Sequence, residues 1–469
     1  MKQISIVRRA ASSCSEMEQS TSLYVQGQVF SLSGSVVEIC GTAAHVRVGD
    51  QIIIVSQAGL RVRAEVIGFN RQMTQAMSFE SLHEIGVGSK VQLYPMVMGA
   101  IGTTRRLGDL AVDANWLGRI IDPLGRPLDG KGALSTGPDG RAPRGQVPEA
   151  TLRARLGPRL NLGVRALDCF VTCCQGQRLG LFAGAGIGKS SLLAMMARKN
   201  QADIIILTLI GERGREVREF VEDQLGPEGL ARAVVIVATS DAPPLLRRQA
   251  AYAAMTVAEH FRDKGLSVLL LMDSITRFCL ALREIGLSRG EPPTTRGYPP
   301  SVFSELPYLL ERAGPGYQRA DGSAGFITAL FTVLVEGDDH NEPVADTLRS
   351  ILDGHIILDR HIAEGGRYPA IDVLRSLSRT MPGCNLPEET AMIARARGIL
   401  ATYGDMEDMI RLGAYRHGSD AQVDEALILA PQITDFLRQG RDETSSFEGS
   451  FAMLNAALSA SGPTEKQLG

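Results

Sequence analysis

The chain has 469 residues, of which 44% are hydrophobic and 22% charged, and its 52 acidic and 49 basic residues leave a formal net charge of −3. The apolar fraction excludes a disordered chain, and 50 Gly and 22 Pro residues exclude collagen-like and low-complexity sequences. The near-neutral charge gives no overall electrostatic reason to bind nucleic acid, and the length predicts two or three domains.

The N-terminal segment 1–20 is Ser-rich and weakly patterned, and we expect it to be a mobile tail. Because it lacks the apolar run of a secretory signal, the protein is expected to stay in the cytoplasm. The longest apolar runs, such as 204–210, are far shorter than the roughly 18 residues of a membrane span. Seven scattered cysteines without C-x-x-C spacing are typical of reduced thiols.

Short β-prone runs separated by glycine occupy residues 21–95, and they predict a small β-barrel domain. The runs are VQGQVF (25–30), SVVEIC (35–40), AHVRV (44–48), QIIIV (51–55), RVRAEVIGF (61–69) and SKVQLYP (89–95). The Gly- and Pro-rich segment 118–130 that follows is typical of an ordered connector.

Apolar strands alternate with longer helical stretches across the middle region, which we assign to 96–381. Continuous apolar runs such as 204–210 and 268–272 are typical of parallel strands buried on both faces, so the sequence predicts an α/β domain. Ligands of such sheets bind at the carboxyl ends of the strands. The periodicity after residue 382 predicts a C-terminal helical domain, 382–469, with helices over 388–403, 406–412 and 424–439.

The strongest chemical signal is AGAGIGKSS, which follows a strand and opens a helix. Small residues let backbone N–H groups surround a phosphate, the lysine neutralises phosphate oxygens, and the first serine hydroxyl is a ligand for Mg²⁺. The predicted nucleotide-binding residues are therefore Ala183, Gly184, Ala185, Gly186, Ile187, Gly188, Lys189, Ser190 and Ser191.

Two acidic residues follow predicted strands and should emerge at the same edge of the sheet. Asp273 ends SVLLLMD and is expected to hold Mg²⁺ together with Ser190, although an aspartate there is also common as a helix cap. Glu212 follows IIILTLI and is our choice for the group that orients the attacking water. A surface glutamate in a charged loop is the alternative for Glu212.

Several long motifs stand in one order along the chain: AGAGIGKSSLLAMMAR, LIGERGREVREF, VLLLMDSITRF, EPPTTRGYPPSVFSELPYLLERAG, VEGDDHNEPVADTLRSILDGHIILDR and RYPAIDVLRSLSR. Together they resemble the rotary hexameric ATPases, and within these the ATPases of type III protein export. SLSRTMPGC and TYGDMEDMIRLGAYRHGSD are more similar to the flagellar branch than to the virulence injectisome branch. The resemblance implies a RecA-like P-loop ATPase core between the barrel and the helices.

The resemblance also assigns roles residue by residue. It implies that Lys189, Glu212 and Asp273 are catalytic, that Tyr368 lies against adenine, and that Arg379 is an arginine finger for the neighbouring subunit. Arg213 and Arg277 are secondary candidates for phosphate or interface contacts, and a structural salt bridge is the alternative for both. The expected cofactors are ATP and Mg²⁺.

The same resemblance implies a homohexamer at the cytoplasmic face of the inner membrane, associated with it only peripherally. Its expected partners are a stator-like regulator, a central stalk protein, the export gate and chaperone–client complexes. Segment 291–300 is either a pore-lining segment or a rigid loop. An RNA translocase of the termination-helicase type is the alternative from another class, and few aromatics and no basic cluster in the barrel region weigh against it.

Overall fold

The protein is described by a computed structural model that covers residues 25–93, 97–98, 104–335 and 342–459. The predicted tail 1–20 lies outside the described residues. Six N-terminal strands close into a barrel in the order β1-β2-β5-β4-β3-β6. These strands are β1 (Val25–Ser33), β2 (Val36–Cys40), β3 (Gln51–Val55), β4 (Arg61–Asn70), β5 (Met73–Ser78) and β6 (Lys90–Leu93).

One predicted barrel strand was wrong and another was missed. Residues 44–48 form a turn, in which the Arg47 N–H donates to Asp50 Oδ2 and Val48 is exposed. The sixth strand is instead β5, which forms a hairpin with β4. The tight turn between β4 and β5 places Arg71 at φ 56°, a left-handed backbone conformation that residues other than glycine rarely adopt. The residue type therefore gives no sign of this turn in the sequence. Two further short strands, β7 (Val97–Met98) and β8 (Thr104–Arg105), pair with each other.

A nine-stranded sheet forms the middle of the chain, with the path β17-β16-β10-β15-β13-β11-β12-β9 and β14 paired to β15. Its strands are β9 (Arg119–Ile121), β10 (Arg178–Ala183), β11 (Ile204–Glu212), β12 (Ala233–Thr239), β13 (Ser267–Asp273), β14 (Gly314–Pro315), β15 (Phe326–Leu334), β16 (Gly354–Leu358) and β17 (Ile371–Ser378). The pairs are parallel except β14–β15 and β16–β17. The predicted connector 118–130 contributes strand β9 to the sheet edge.

Helices cover both faces of this sheet, so its central strands are buried throughout. They are α1 (Arg165–Phe170), α2 (Lys189–Lys199), α3 (Gly214–Glu219), α4 (Gly226–Ala231), α5 (Pro244–Asp263), α6 (Ile275–Ser288), α7 (Pro300–Leu310), α8 (Pro343–Ile351) and α9 (Arg360–Glu364). A π-helical segment, Phe220–Leu225, continues α3, and short 3₁₀ turns lie at Ala114–Trp116 and Thr295–Gly297.

The C-terminal region consists of α10 (Pro387–Arg411), α11 (Ala421–Leu437) and α12 (Phe447–Leu458). The two helices predicted over 388–403 and 406–412 are a single helix, α10, which continues through the exposed Gly404. The last helix was not predicted.

These parts are joined by buried contacts. Apolar residues of the C-terminal helices, such as Ile433, share one core with the sheet residue Leu269. On the other side, Arg248 of α5 donates to the Glu65 carboxylate of the barrel at 2.6 Å, and both side chains are buried. Among the described residues, no helix has the length and apolar character that crossing a bilayer would need. The predicted class, an α/β core with an N-terminal barrel and C-terminal helices, is confirmed.

Candidate active site

The glycine-rich loop connects the end of β10 at Ala183 to the start of α2 at Lys189. Gly186 and Gly188 have φ values of 79° and 91°, a left-handed conformation that favours glycine. Because Gly188 is the N-cap and has no side chain, no side-chain cap occupies the N–H groups of the first helical turn. Unpaired N–H groups at the positive end of a helix dipole form an anion site.

Four adjacent strands, β10, β15, β13 and β11, bring the charged residues together at their carboxyl ends. Lys189 Nζ lies 2.5 Å from Asp273 Oδ1 and 3.6 Å from Glu212 Oε1. The Thr332 hydroxyl, on β15, donates to the same Asp273 oxygen at 2.7 Å. The lysine thus holds the buried Asp273 carboxylate and the partly buried Glu212 carboxylate, which would otherwise repel each other. A bound phosphate would have to draw the Lys189 ammonium away from these carboxylates.

The protonation of Glu212 is tuned by this environment. Burial raises the pKa of Glu212, the Lys189 ammonium opposes that rise, and the neighbouring Asp273 and Glu216 carboxyls raise the pKa further. A carboxyl whose pKa is moved up towards neutral pH is a better proton acceptor than a freely solvated one. The arrangement therefore suits a residue that polarises water.

A cavity of about 190 Å³ opens beside these groups. Its lining includes Ser190, Glu212 and Asp273 from the predicted site, together with Glu216, Glu219, Phe220 and Gln224 from α3 and the π-helical segment. One hydroxyl and carboxylate oxygens are the donor set that suits Mg²⁺. The site residues therefore fit the expected metal, and the Lys189 ammonium compensates the negative charge of the two carboxylates.

Tyr368 lies against the other side of the phosphate loop. A Cβ built on Gly188 would sit 3.4 Å from the Tyr368 ring carbons Cδ1 and Cε1, so glycine lets the ring approach the loop closely. Tyr368 is 46% exposed, so part of the residue is open to solvent next to the anion site. A partly exposed aromatic ring at this distance from a phosphate site is suited to stacking on a nucleobase.

Replacing Tyr368 with alanine is expected to weaken ATP binding by about 1–3 kcal/mol, the usual worth of an aromatic stacked on a base. Equilibrium titration with a fluorescent ATP analogue would measure this. Tyr368→Phe keeps the ring and should bind as the wild type does. Tripolyphosphate, which has no base, should compete equally well for all three proteins; an alanine variant that loses tripolyphosphate as strongly as ATP would contradict the stacking role.

Arg379 lies at the opposite edge of the sheet from the phosphate loop. Strand β17 runs antiparallel to β16, so Ile371 pairs with Leu358 near the carboxyl edge and Ser378 pairs with Gly354 at the amino edge. Eight residues of strand separate Tyr368 from Arg379, a path of roughly 25 Å. Within the part of the chain that the structure describes, the exposed guanidinium donates a single long 3.4 Å bond, to the Arg349 carbonyl oxygen. Arg379 therefore cannot reach the phosphate loop of its own chain.

The two remaining predicted arginines, Arg213 and Arg277, lie in different environments. Arg213 is 80% exposed and forms a 3.6 Å ion pair with Glu216, outside the lysine–carboxylate cluster. Arg277 packs against Gly211, the strand residue before Glu212: a Cβ built on Gly211 would lie 3.1 Å from the Arg277 side chain. The buried Arg277 Nε has no hydrogen-bond partner among the described residues.

Thr332 was missed in the sequence analysis. A threonine within the apolar run FITALFTVL is the only signal for it in the sequence.

Two family models match the chain. The nucleotide-binding domain of the ATP synthase alpha/beta family matches residues 163–378, and the C-terminal domain of the type III secretion ATPase EscN matches residues 386–456. The flagellum-specific ATP synthase of Caulobacter vibrioides is 50% identical over 94% of this chain and 98% of its own. The type 3 secretion system ATPase of Xanthomonas euvesicatoria is 46% identical over 90% of this chain and 93% of its own.

The fold is similar to that of a solved relative over nearly the whole chain. The structure of assembled EscN in complex with its central stalk EscO, from the type III secretion system of enteropathogenic E. coli, has a TM-score of 0.81 at 38% identity. It covers 92% of this chain and 100% of the EscN chain.

Proposed function

Since the chain belongs to the family of flagellum-specific ATP synthases and type III secretion ATPases, we propose that it drives flagellar protein export as a ring of six identical ATPase chains. The observation that carries this proposal is the separation of Arg379 from the site that it would complete. Each chain has the phosphate loop, Lys189, Glu212 and Asp273 at one edge of its sheet and the arginine at the other.

The phosphates of ATP bind at the loop 183–188 and the first turn of α2. Lys189 leaves the carboxylates and neutralises phosphate oxygens, while Tyr368 stacks on the base. Glu212 accepts a hydrogen bond from water and aligns it with the terminal phosphorus, opposite the leaving group. Ser190 and Asp273 would hold Mg²⁺, which when bound neutralises charge on the phosphate oxygens.

A closed ring of identical chains follows from the same geometry, and the family resemblance sets the number of chains at six. An arginine at the amino edge can serve only a neighbouring chain, and a ring closed by rotational symmetry gives every site one such neighbour. Because one chain carries all the parts, each interface of the ring is complete. Because the relative EscN has been solved as an assembled ATPase in complex with its central stalk EscO, we expect a stalk partner for this chain as well.

The flagellar assignment places the ring at the cytoplasmic face of the inner membrane, attached peripherally. There it would receive chaperone–client complexes, pass clients to the export gate and bind a stator-like regulator. Segment 291–300, which contains the turn Thr295–Gly297, would line the pore. RNA-stimulated ATP hydrolysis would favour the helicase alternative instead.

Deleting the gene tests the system to which the ATPase belongs. We expect deletion to abolish swimming and the export of flagellar proteins, and a plasmid copy of the wild type to restore both. A copy carrying Lys189→Ala should restore neither. Normal swimming combined with lost delivery of effector proteins to host cells would overturn the flagellar assignment in favour of the virulence system.

A further inference from the structure

Thr332 and Asp273 lie side by side at the carboxyl ends of β15 and β13. The parallel ladder between these strands continues to the pair Met272–Phe331, so the next residue of each strand stands at the edge where the site forms. Thr332 is 0% and Asp273 2% exposed. The Thr332 hydroxyl donates to Asp273 Oδ1 at 2.7 Å. Because both groups are shielded from water, this charge-assisted hydrogen bond is a strong one.

The Asp273 carboxylate uses its two oxygens differently. Oδ1 accepts from the Thr332 hydroxyl and also lies 2.5 Å from Lys189 Nζ. Among the described residues, no group donates to Oδ2, and Asp273 lines the cavity of the site. A carboxylate that is held by one oxygen can offer the other to a metal ion or to its water. The Lys189 bond would be lost when the ammonium moves to the phosphates, whereas the Thr332 bond does not depend on the nucleotide.

The end of β15 is held on both sides, which fixes the position of the Thr332 backbone. Besides its neighbour on β13, Thr332 pairs with Leu181 of β10, the strand that leads into the phosphate loop. Two residues further along, the Leu334 N–H donates to the Thr276 hydroxyl of α6 at 2.9 Å. A threonine side chain carries two heavy atoms on its Cβ, so its χ1 is restricted. The strand therefore presents the hydroxyl to Asp273 at little cost in side-chain entropy.

A second buried threonine on the same strand shows what a structural hydroxyl does here. The Thr328 hydroxyl accepts from the Gly176 N–H at 3.0 Å and so fixes the turn before β10. Thr328 lies four residues before Thr332, roughly 13 Å along an extended strand. A hydroxyl in an apolar strand costs free energy unless it is hydrogen-bonded. Both threonines meet this requirement, but Thr332 meets it with a residue of the site.

We propose that Thr332 is a positioning residue, which keeps the Asp273 carboxylate in place for Mg²⁺ after Lys189 has moved to the phosphates. Without the hydroxyl, departure of the ammonium leaves Oδ1 with no hydrogen bond from the described part of the chain, and the carboxylate can rotate. Removing a group that orients a metal ligand lowers metal affinity roughly 10- to 100-fold. The proposal rests on the proposed function, in which Asp273 and Ser190 hold the metal.

Titration with Mn²⁺ measures metal affinity without relying on turnover. The full-length protein is kept in excess over a non-hydrolysable ATP analogue, and electron paramagnetic resonance reports the free Mn²⁺. Thr332→Val removes the hydroxyl and keeps the shape of the side chain, so the Mn²⁺ dissociation constant should rise roughly 10- to 100-fold. Thr332→Ser keeps the hydroxyl and should recover most of the affinity. In EDTA, both variants should bind the analogue as the wild type does.

Thr328→Val is the matched control, because it removes a buried hydroxyl from the same strand far from the site. It should lower the melting temperature and leave the Mn²⁺ affinity at the wild-type value. If Thr332→Val does not fold, Thr332→Ala also removes the hydroxyl without adding a methyl group, and the same rise in the dissociation constant is expected.

The outcomes separate this proposal from the proposed function. An unchanged Mn²⁺ affinity in a folded variant that lacks the Thr332 hydroxyl, or an equal loss in Thr328→Val, overturns the positioning role. A wild type that binds Mn²⁺ and the analogue but does not hydrolyse ATP counts against the proposed function alone. The Mn²⁺ affinities of the variants would still report on Thr332.

Discussion

Glu212→Gln is expected to lower ATP turnover by roughly two to four orders of magnitude, the usual contribution of a general base. Glutamine keeps the size of the side chain, and its amide oxygen can still accept a hydrogen bond, but it lacks the negative charge and basicity of the carboxylate that would polarise the water. Lys189 and the loop N–H groups remain, so ATP should still bind. Steady-state turnover and equilibrium binding of an ATP analogue, measured on the same preparation, would separate the two effects.

Glu219 supplies a matched control, because it lines the same cavity but is half-exposed and ion-paired with Arg215 at 3.2 Å. Glu219→Gln makes the same chemical change beside the site and should leave turnover nearly unaltered. Near wild-type turnover in Glu212→Gln would refute the assignment of the water-orienting group. Equal losses in both variants would mean that the cavity needs overall negative charge instead.

The parts of the site that the sequence predicts well are those encoded by local order. A strand, a glycine loop and a helix that begins with Lys189 can form one arrangement only, and acids directly after buried strands must emerge at the carboxyl edge. The lysine–carboxylate cluster is therefore predictable before its distances are known. The expectation that Tyr368 lies against adenine came only from the family resemblance, and its contact with Gly188 was not predicted, because nothing local joins positions so far apart.

Other features depend on register and long-range pairing, which single-sequence patterns do not contain. The barrel strand Met73–Ser78 has a weak apolar pattern and was missed, whereas the more β-prone 44–48 forms a turn. The strand conformation of Met73–Ser78 comes from its pairing with β2 and β4, not from the β-propensity of its own residues.

Arg379→Ala is expected to reduce turnover by roughly 10³- to 10⁵-fold, the range for arginine fingers, while each chain still binds ATP. Arg379→Lys should recover little, because an ammonium lacks the planar fork that matches phosphoryl oxygens. Arg375 is the matched control: it is a half-exposed arginine on the same strand, ion-paired with Asp359 at 3.4 Å. Arg375→Ala should retain turnover.

Mixing two inactive variants distinguishes an arginine that acts on the neighbouring chain from one that acts on its own. A Glu212→Gln chain has a dead site but an intact Arg379, and an Arg379→Ala chain has the reverse. In rings assembled from equal amounts, about a quarter of the interfaces join an intact Glu212 to an intact Arg379. Turnover should therefore return on mixing. If Arg379 acted within its own chain, no chain would hold both intact groups, and the mixture would stay as inactive as its components.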